Sequence, residues 1–258
     1  MIFCFSAMGN TLFAAKKVSE ACGERLVLIS GTGEERGVYT IDNGENIGIF
    51  FPVHGWQPPK NVLRFIENTT FKFSKQPFCY TLCTAGDTVG EAVDILKSAL
   101  RQKNITLHSG YSLIMPESYV GLPFMDVDNQ EKEKQKIESS KTLLNEYIPQ
   151  ILSKEKGVML VHRGKHPKIN SRVIGGFFHK KLVTDKPFSV EKQRCTKCGA
   201  CARLCPTNDI EGEKGTFPTW KHNGYCLSCF KCYHHCPTHA IEYGKRTKKK
   251  GQYYFKEH

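Results

Sequence analysis

Nothing in this chain is apolar for long. No hydrophobic run approaches the roughly 18 residues that a membrane span needs. The opening stretch, MIFCFSAMGN, has neither a basic n-region nor an extended apolar core. The expectation is therefore a protein without signal peptide or membrane span, cytoplasmic, where thiols stay reduced. Catalytic constellations are also missing: there is no convincing triad, no paired carboxylates and no nucleophile beside a base. No Gly-Lys-Ser/Thr loop and no G-x-G-x-x-G occurs, which removes the Walker and dinucleotide fingerprints. The nearest approach, Gly31-Thr32-Gly33, is followed by Glu34 and Glu35, whose charges repel a pyrophosphate, so it reads as a plain turn.

Cysteine, by contrast, is plentiful: 12 in 258 residues. Between Cys195 and Pro237 the pattern C-x2-C-x2-C-x3-C-P occurs twice, as Cys195, Cys198, Cys201, Cys205, Pro206 and as Cys226, Cys229, Cys232, Cys236, Pro237. Each second-run cysteine follows its counterpart by 31 residues, and Thr207 with Ile210 is echoed by Thr238 with Ile241, so the segment is an internal repeat. Three thiolates at intervals of three, on a tight loop, wrap one side of an iron–sulfur cube. The fourth usually serves the other cube. The spacing assigns one [4Fe-4S] cluster to Cys195, Cys198, Cys201 and Cys236, and another to Cys226, Cys229, Cys232 and Cys205. Zinc sites are built from separated C-x2-C pairs, and a disulfide framework belongs to secreted chains; both fit less well. Cys4, Cys22, Cys79 and Cys83 lie on predicted strands or a helix and read as small buried hydrophobes.

The remaining composition, 40% hydrophobic and 24% charged, is that of a soluble globular chain of about two domains. Its formal charge of +12 falls to about +6 once two anionic clusters and one bound phosphate are included. That balance points to acidic redox partners through electrostatic steering, with nucleic acid disfavoured. Residues 1–154 alternate strands and helices. The strands fall near 1–5, 26–29, 47–51, 78–83 and 105–115, and the helices near 12–22, 60–67, 87–103 with Asp87 as N-cap, and 130–153. Five strands in such alternation predict an α/β doubly wound parallel sheet. Ser6-Ala7-Met8-Gly9-Asn10-Thr11, between the first strand and first helix, is an anion site in prospect, because amides, hydroxyls and a helix dipole converge there.

The order FSAMGNT, FPVHGWQPP, CTAGDT resembles flavodoxin. With the double cysteine run and the ending AIEYGKRTKKKGQYYF, nearly the whole chain resembles the flavodoxin–ferredoxin fusions called EFR1-family ferredoxins. The resemblance implies a flavodoxin-like domain at 1–154, a connector docking the domains at 155–190, and a small α+β 2[4Fe-4S] ferredoxin-like domain with a basic tail at 191–258. It also implies FMN. Ser6 to Thr11 would hold the phosphate, and Pro52, Val53, His54, Gly55 and Trp56 would flank the ring, with Trp56 stacking. Thr84, Ala85, Gly86 and Asp87 would meet its polar edge. Met8 stands where such loops commonly carry threonine. The function implied is electron relay between FMN and two clusters. The alternatives are a ferredoxin-type carrier, or an iron- or oxygen-sensing module, whose first domain has lost its flavin. His234 and His235 read as surface residues, Tyr119 as lining the cleft or packing, and the basic run from Lys245 to Lys250 as a solvated end. In the connector, Val173, Phe177 and Leu182 are expected to dock one domain on the other.

Overall fold

The computed structural model describes residues 1–29, 31–34 and 36–256; Glu35 lies outside them. Six parallel strands form the central sheet. They are β1 (Ile2–Cys4), β2 (Leu26–Leu28), β4 (Asn46–Pro52), β6 (Phe78–Ala85), β7 (Leu107–Ile114) and β8 (Met159–Leu160). Their order is β2-β1-β4-β6-β7-β8. β3 (Val38–Thr40) and β5 (Thr70–Lys72) pair in parallel by themselves. The five expected strands are present, and β8, too short to show periodicity, is an addition at the edge beside β7.

Side chains alternate across the sheet, as the pleat requires. Phe3, Ile47, Ile49, Phe51 and Cys83 point to one face, against Val62, Phe65, Ile66, Val93, Leu96 and Leu100. Those partners come from α2 (Lys60–Asn68) and α3 (Ala92–Gln102). Ile2, Cys4, Phe50, Tyr80 and Leu82 point to the other face, against Phe13, Ala14, Val18, Leu144, Tyr147 and Ile151. These belong to α1 (Asn10–Cys22) and α4 (Gln130–Leu152). This is a doubly wound, flavodoxin-like sheet. Asp87 is not the cap of α3: the chain turns at Gly90, and Glu91 precedes the helix. The apolar period of α3 is right, but Val89 is buried from the loop.

The C-terminal part is small and two-fold. β9 (Phe188–Val190) pairs antiparallel with β12 (Ile241–Tyr243), and β10 (Ile210–Glu211) with β11 (Thr219–Trp220). Each repeat thus lends a strand to a pair completed by the other. Short helices at Ala200–Leu204 and Lys231–His234 occupy matching places and carry the third cysteine of each run, Cys201 and Cys232. The core here is Phe188, Phe230, Tyr233, Ile241 and Tyr243. No helix among the described residues is long and apolar enough to cross a membrane.

Between the two parts, residues 169–182 form one helical rod, π-helical at Ile169–Ile174 and Phe178–Leu182. Its apolar residues do not all dock the two parts together as expected. Val173 is 65% and Phe177 59% exposed, and Leu182 alone of the three is half-buried. Gly175 and Ser171 face inward instead. Ser171 Oγ donates to Trp56 O at 2.9 Å and accepts from Glu91 N at 2.7 Å, and no room for a Cβ exists between Gly175 and Gly55 O. The rod is held by polar bonds, a close backbone approach and the Phe178 ring, which leaves Ile169, Val173 and Phe177 outside.

Phe3 sits at the centre of the sheet's aromatic face, with ring centroids 4.8 Å from Tyr39, 5.2 Å from Phe65 and 5.6 Å from Phe71. Phe3→Ala should lower the unfolding free energy by about 3–5 kcal/mol, measured by denaturant titration. A loss below about 1 kcal/mol would show that this cluster does not anchor the sheet.

Candidate functional site: two cysteine rings at the strand ends

The two runs fold alike in detail. Lys197 and Ser228 have positive φ (55° and 47°), as do Gly199 and Phe230 (70° and 59°) and Asn208 and His239 (51° and 54°). Such backbone reversals turn amides inward. Lys197 N–H donates to Cys195 Sγ at 3.4 Å and Ser228 N–H to Cys226 Sγ at 3.4 Å. Asp209 N–H donates to Cys205 Sγ at 3.3 Å and Ala240 N–H to Cys236 Sγ at 3.1 Å. Each of these donors has its partner 31 positions on. Phe230 accepts a left-handed conformation that favours glycine because its ring is buried against Phe188, Tyr243 and Tyr119.

The sulfurs gather across the runs. Cys195, Cys198, Cys201 and Cys236 surround a recess of about 380 Å³ including its mouth. Cys205, Cys226, Cys229 and Cys232 surround another of about 300 Å³. As bare thiols Cys201, Cys226, Cys229 and Cys232 resist ionisation. Burial pushes Cys201 up to about 11, and negative charge on Cys236 adds to it. Burial likewise pushes Cys229 up to about 11, with Cys205 adding. A cationic iron–sulfur core is what converts such a crowded ring to thiolates. Among the described residues, no group of three or more His, Cys, Asp or Glu closes tightly enough for one metal ion. The donor set and the amides aimed at sulfur fit a [4Fe-4S] cluster in each ring.

The three loops at the carboxyl ends of β1, β4 and β6 also meet, at the switch in strand order. Thr11 and Thr84 share a hydroxyl bond of 2.7 Å, and Val53 N–H donates to Thr84 O at 2.8 Å. Trp56 Nε1–H donates to Thr88 Oγ1 at 2.9 Å. Asp87 is exposed. What lies against these loops is the chain itself. Phe255 N–H donates to Met8 O at 2.8 Å, and Tyr253 Oη donates to Asn10 Oδ1 at 2.6 Å. Ala7, Met8, Asn10 and Thr11 are buried. At Gly9 (φ 97°) a Cβ would stand 3.1 Å from Phe255 Cβ, and at Gly55 (φ 53°) it would stand 2.5 Å from the Phe178 ring. Ser6 Oγ accepts from Gly9 N–H, Ala85 O accepts from Met115 N–H, Pro52 ends β4, and the Glu117 carboxylate lies on Gly86. As folded, the loops face the tail and the connector, and a flavin does not fit there without their displacement.

Several residues have roles that the sequence did not reveal. His234, expected at the surface, is 2% exposed. Its Nδ1 accepts from Tyr253 N–H at 3.1 Å, so Nε2–H donates to Ser118 O at 2.7 Å. Burial pushes it down to about 4, so it is a neutral strut between tail and sheet. His235 is half-buried and stacks on Tyr254. Lys250 is not part of a solvated end: its ammonium donates to the carbonyls of Val120, Leu122 and Met125. Asp209 is fully buried near Asp185 and Cys226, and burial together with Asp185 raises its carboxyl to about 6. The matching position of the other repeat is Ala240. Tyr119 packs between Phe178 and Phe230. Cys229 packs against the cluster of Ala7, Met8 and Tyr253, which brings the second ring to the strand ends and the tail that covers them.

Residues 188–237 match the 4Fe-4S dicluster domain family. Iron–sulfur binding therefore belongs to this part of the chain. No curated protein matches the sequence significantly. Among solved structures, a protein of Bacteroides uniformis ATCC 8492 is 22% identical with a TM-score of 0.34, covering 44% of this chain and 88% of that one. One of Bacteroides eggerthii DSM 20697 is 17% identical with a TM-score of 0.33, covering 54% and 96%. Both are described as a "putative flavoprotein". Likeness of that extent has no bearing on what this chain binds.

His54, beside Trp56, is held neutral: burial, then the neighbouring His179, push it down to about 3. Its folded value lies below the ordinary value of about 6.5, so the unfolded chain takes a proton that the folded one refuses. Stability should be complete above about pH 6.5 and fall by up to about 2 kcal/mol by pH 5. His54→Gln should flatten that part of the profile in denaturant titrations at the two pH values.

Proposed function

We propose that the chain is an electron carrier that passes single electrons between protein partners through two [4Fe-4S] clusters. Cys195, Cys198, Cys201 and Cys236 hold one cluster, and Cys205, Cys226, Cys229 and Cys232 hold the other. The observation that carries this reading is the gathering of four sulfurs, three from one run and one from the other, around each of two recesses. Each cluster supplies one-electron chemistry when bound. The protein's part is to bind, to exclude water and to set potential. Amide donors to Cys195, Cys205, Cys226 and Cys236 share the negative charge of the sulfurs, which eases reduction. The half-buried rings, with Cys232 fully buried, further limit solvent access.

The resemblance to EFR1-family ferredoxins adds FMN at the strand-end loops, and with it a converter between two-electron and one-electron steps. The flavodoxin-like strand order and the meeting of the three loops beside Cys229 favour this second reading. The tail on Met8 and Asn10 and the connector on Gly55 oppose it. The carrier reading stands on the clusters alone.

Double substitutions separate rings from runs. Cys205→Ala with Cys226→Ala (one ring, two runs) should leave about four of eight irons per chain. Cys205→Ala with Cys201→Ala (one run, two rings) should leave almost none. Anaerobic iron and sulfide analysis reads both, and the reverse pattern would assign each cluster to a single run. Removal of residues 252–256 uncovers Ala7 to Asn10. A saturable quench of added FMN fluorescence in that variant, absent in the full chain, is the outcome the flavin reading requires.

A further inference from the structure

The rod at 169–182 is built inside out. A helix that only joined two parts would turn its apolar residues inward and its small polar ones outward. Here Ser171 and Gly175 face in, while Ile169, Val173 and Phe177, at intervals of four, are 54%, 65% and 59% exposed. Lys168, Lys180 and Lys181 are exposed at its two ends. The charge of Arg172 is already paired with Glu91, at 2.6 Å. An apolar stripe with a basic rim has the composition of a protein-docking surface.

The place of the rod is as telling as its composition. Ser228, between Cys226 and Cys229, accepts at its hydroxyl from Thr184 N–H at 2.9 Å and donates to Thr184 O at 3.1 Å. The end of the rod is therefore fastened to the loop of the second ring. From the inner face of the rod, Phe178, Tyr119 and Phe230 follow one another with centroids 5.3 Å apart at each step, and Phe230 lines the second recess. Whatever rests on the outer face reaches the second ring across the rod, ~10–12 Å thick with its side chains, and the two aromatic steps behind it.

We infer that this face is the docking surface for an acidic one-electron redox protein, exchanging electrons with the cluster of the second ring. The inference rests on the carrier reading and names the side of the molecule at which it operates. Complementary charge brings the partner to the lysine rim, and the stripe of Ile169, Val173 and Phe177 supplies the contact that water leaves. One electron moves from the reduced member to the oxidised member, with no bond made or broken. A bilayer or a second copy would also cover an apolar face, but neither accounts for its attachment to a cysteine ring.

The test uses the full, cluster-loaded chain under anaerobic stopped flow, with a reduced acidic [2Fe-2S] ferredoxin as donor and dithionite as the small-molecule control. Reduction by the ferredoxin should slow about tenfold or more between ~20 and ~300 mM salt. Lys180→Glu with Lys181→Glu should slow it about tenfold and weaken the salt dependence. Val173→Ser with Phe177→Ser should slow it similarly while leaving the salt dependence in place. Iron content and the dithionite rate should not change in either variant. Variants as fast as the parent, or slowed equally with dithionite, overturn the assignment. So do binding of the parent to phosphatidylglycerol vesicles through the same residues, and a dimer in sedimentation that these variants disperse. A parent chain without iron, or one that dithionite cannot reduce, would instead sink the carrier reading itself.

Discussion

Everything in the C-terminal part follows from the need to bring a fourth sulfur to three that are already close. The three near cysteines of a run are placed by local geometry: a left-handed residue at Lys197 or Ser228, another at Gly199 or Phe230, then a short helix. The fourth cannot reach its own three, because the helix carries it away and proline follows. It reaches the other run's recess instead. Cross-closure ties the two repeats together, and the antiparallel pairs β9–β12 and β10–β11 are the backbone expression of the same exchange. Folding of this part is therefore expected to be coupled to cluster binding, since four crowded sulfurs without iron repel one another once ionised.

The second ring is where this constraint meets the sheet. Cys229 packs on the cluster of Ala7, Met8 and Tyr253, and Leu227 enters the core that α2 and α3 cover. Ser228 fastens the connector rod, and His234 and Lys250 fasten the returning tail and the loop after β7. The strand ends, which in a doubly wound sheet are the usual place for a ligand, are here the seat of the ring. Tyr253 and Phe255 lie where an anion would approach α1. The same loops thus serve as a docking platform, which makes an iron–sulfur carrier on a flavodoxin-like base a physically coherent molecule with or without flavin.

Local pattern was legible and sidedness was not. The cysteine rings could be read because their spacing is a local rule, repeated at a fixed interval. The sheet could be read because β4 and β6 are buried on both faces and spell nearly unbroken apolar runs. Val173 and Phe177 could not be placed, because periodicity says which residues share a face and not which face is covered. His234 and Lys250 escaped notice because their partners, Ser118 and Val120, lie more than a hundred residues away. Asp87 looked like a cap because the turn at Gly90 that delays α3 has no strong signal of its own.

The central claim is that each cluster takes three sulfurs from one run and one from the other. Its most direct test is an iron anomalous-difference map from crystals grown without oxygen. The account predicts two compact iron peaks, one among Cys195, Cys198, Cys201 and Cys236 and one among Cys205, Cys226, Cys229 and Cys232. Zinc at either place, or iron held by the four cysteines of a single run, would contradict it.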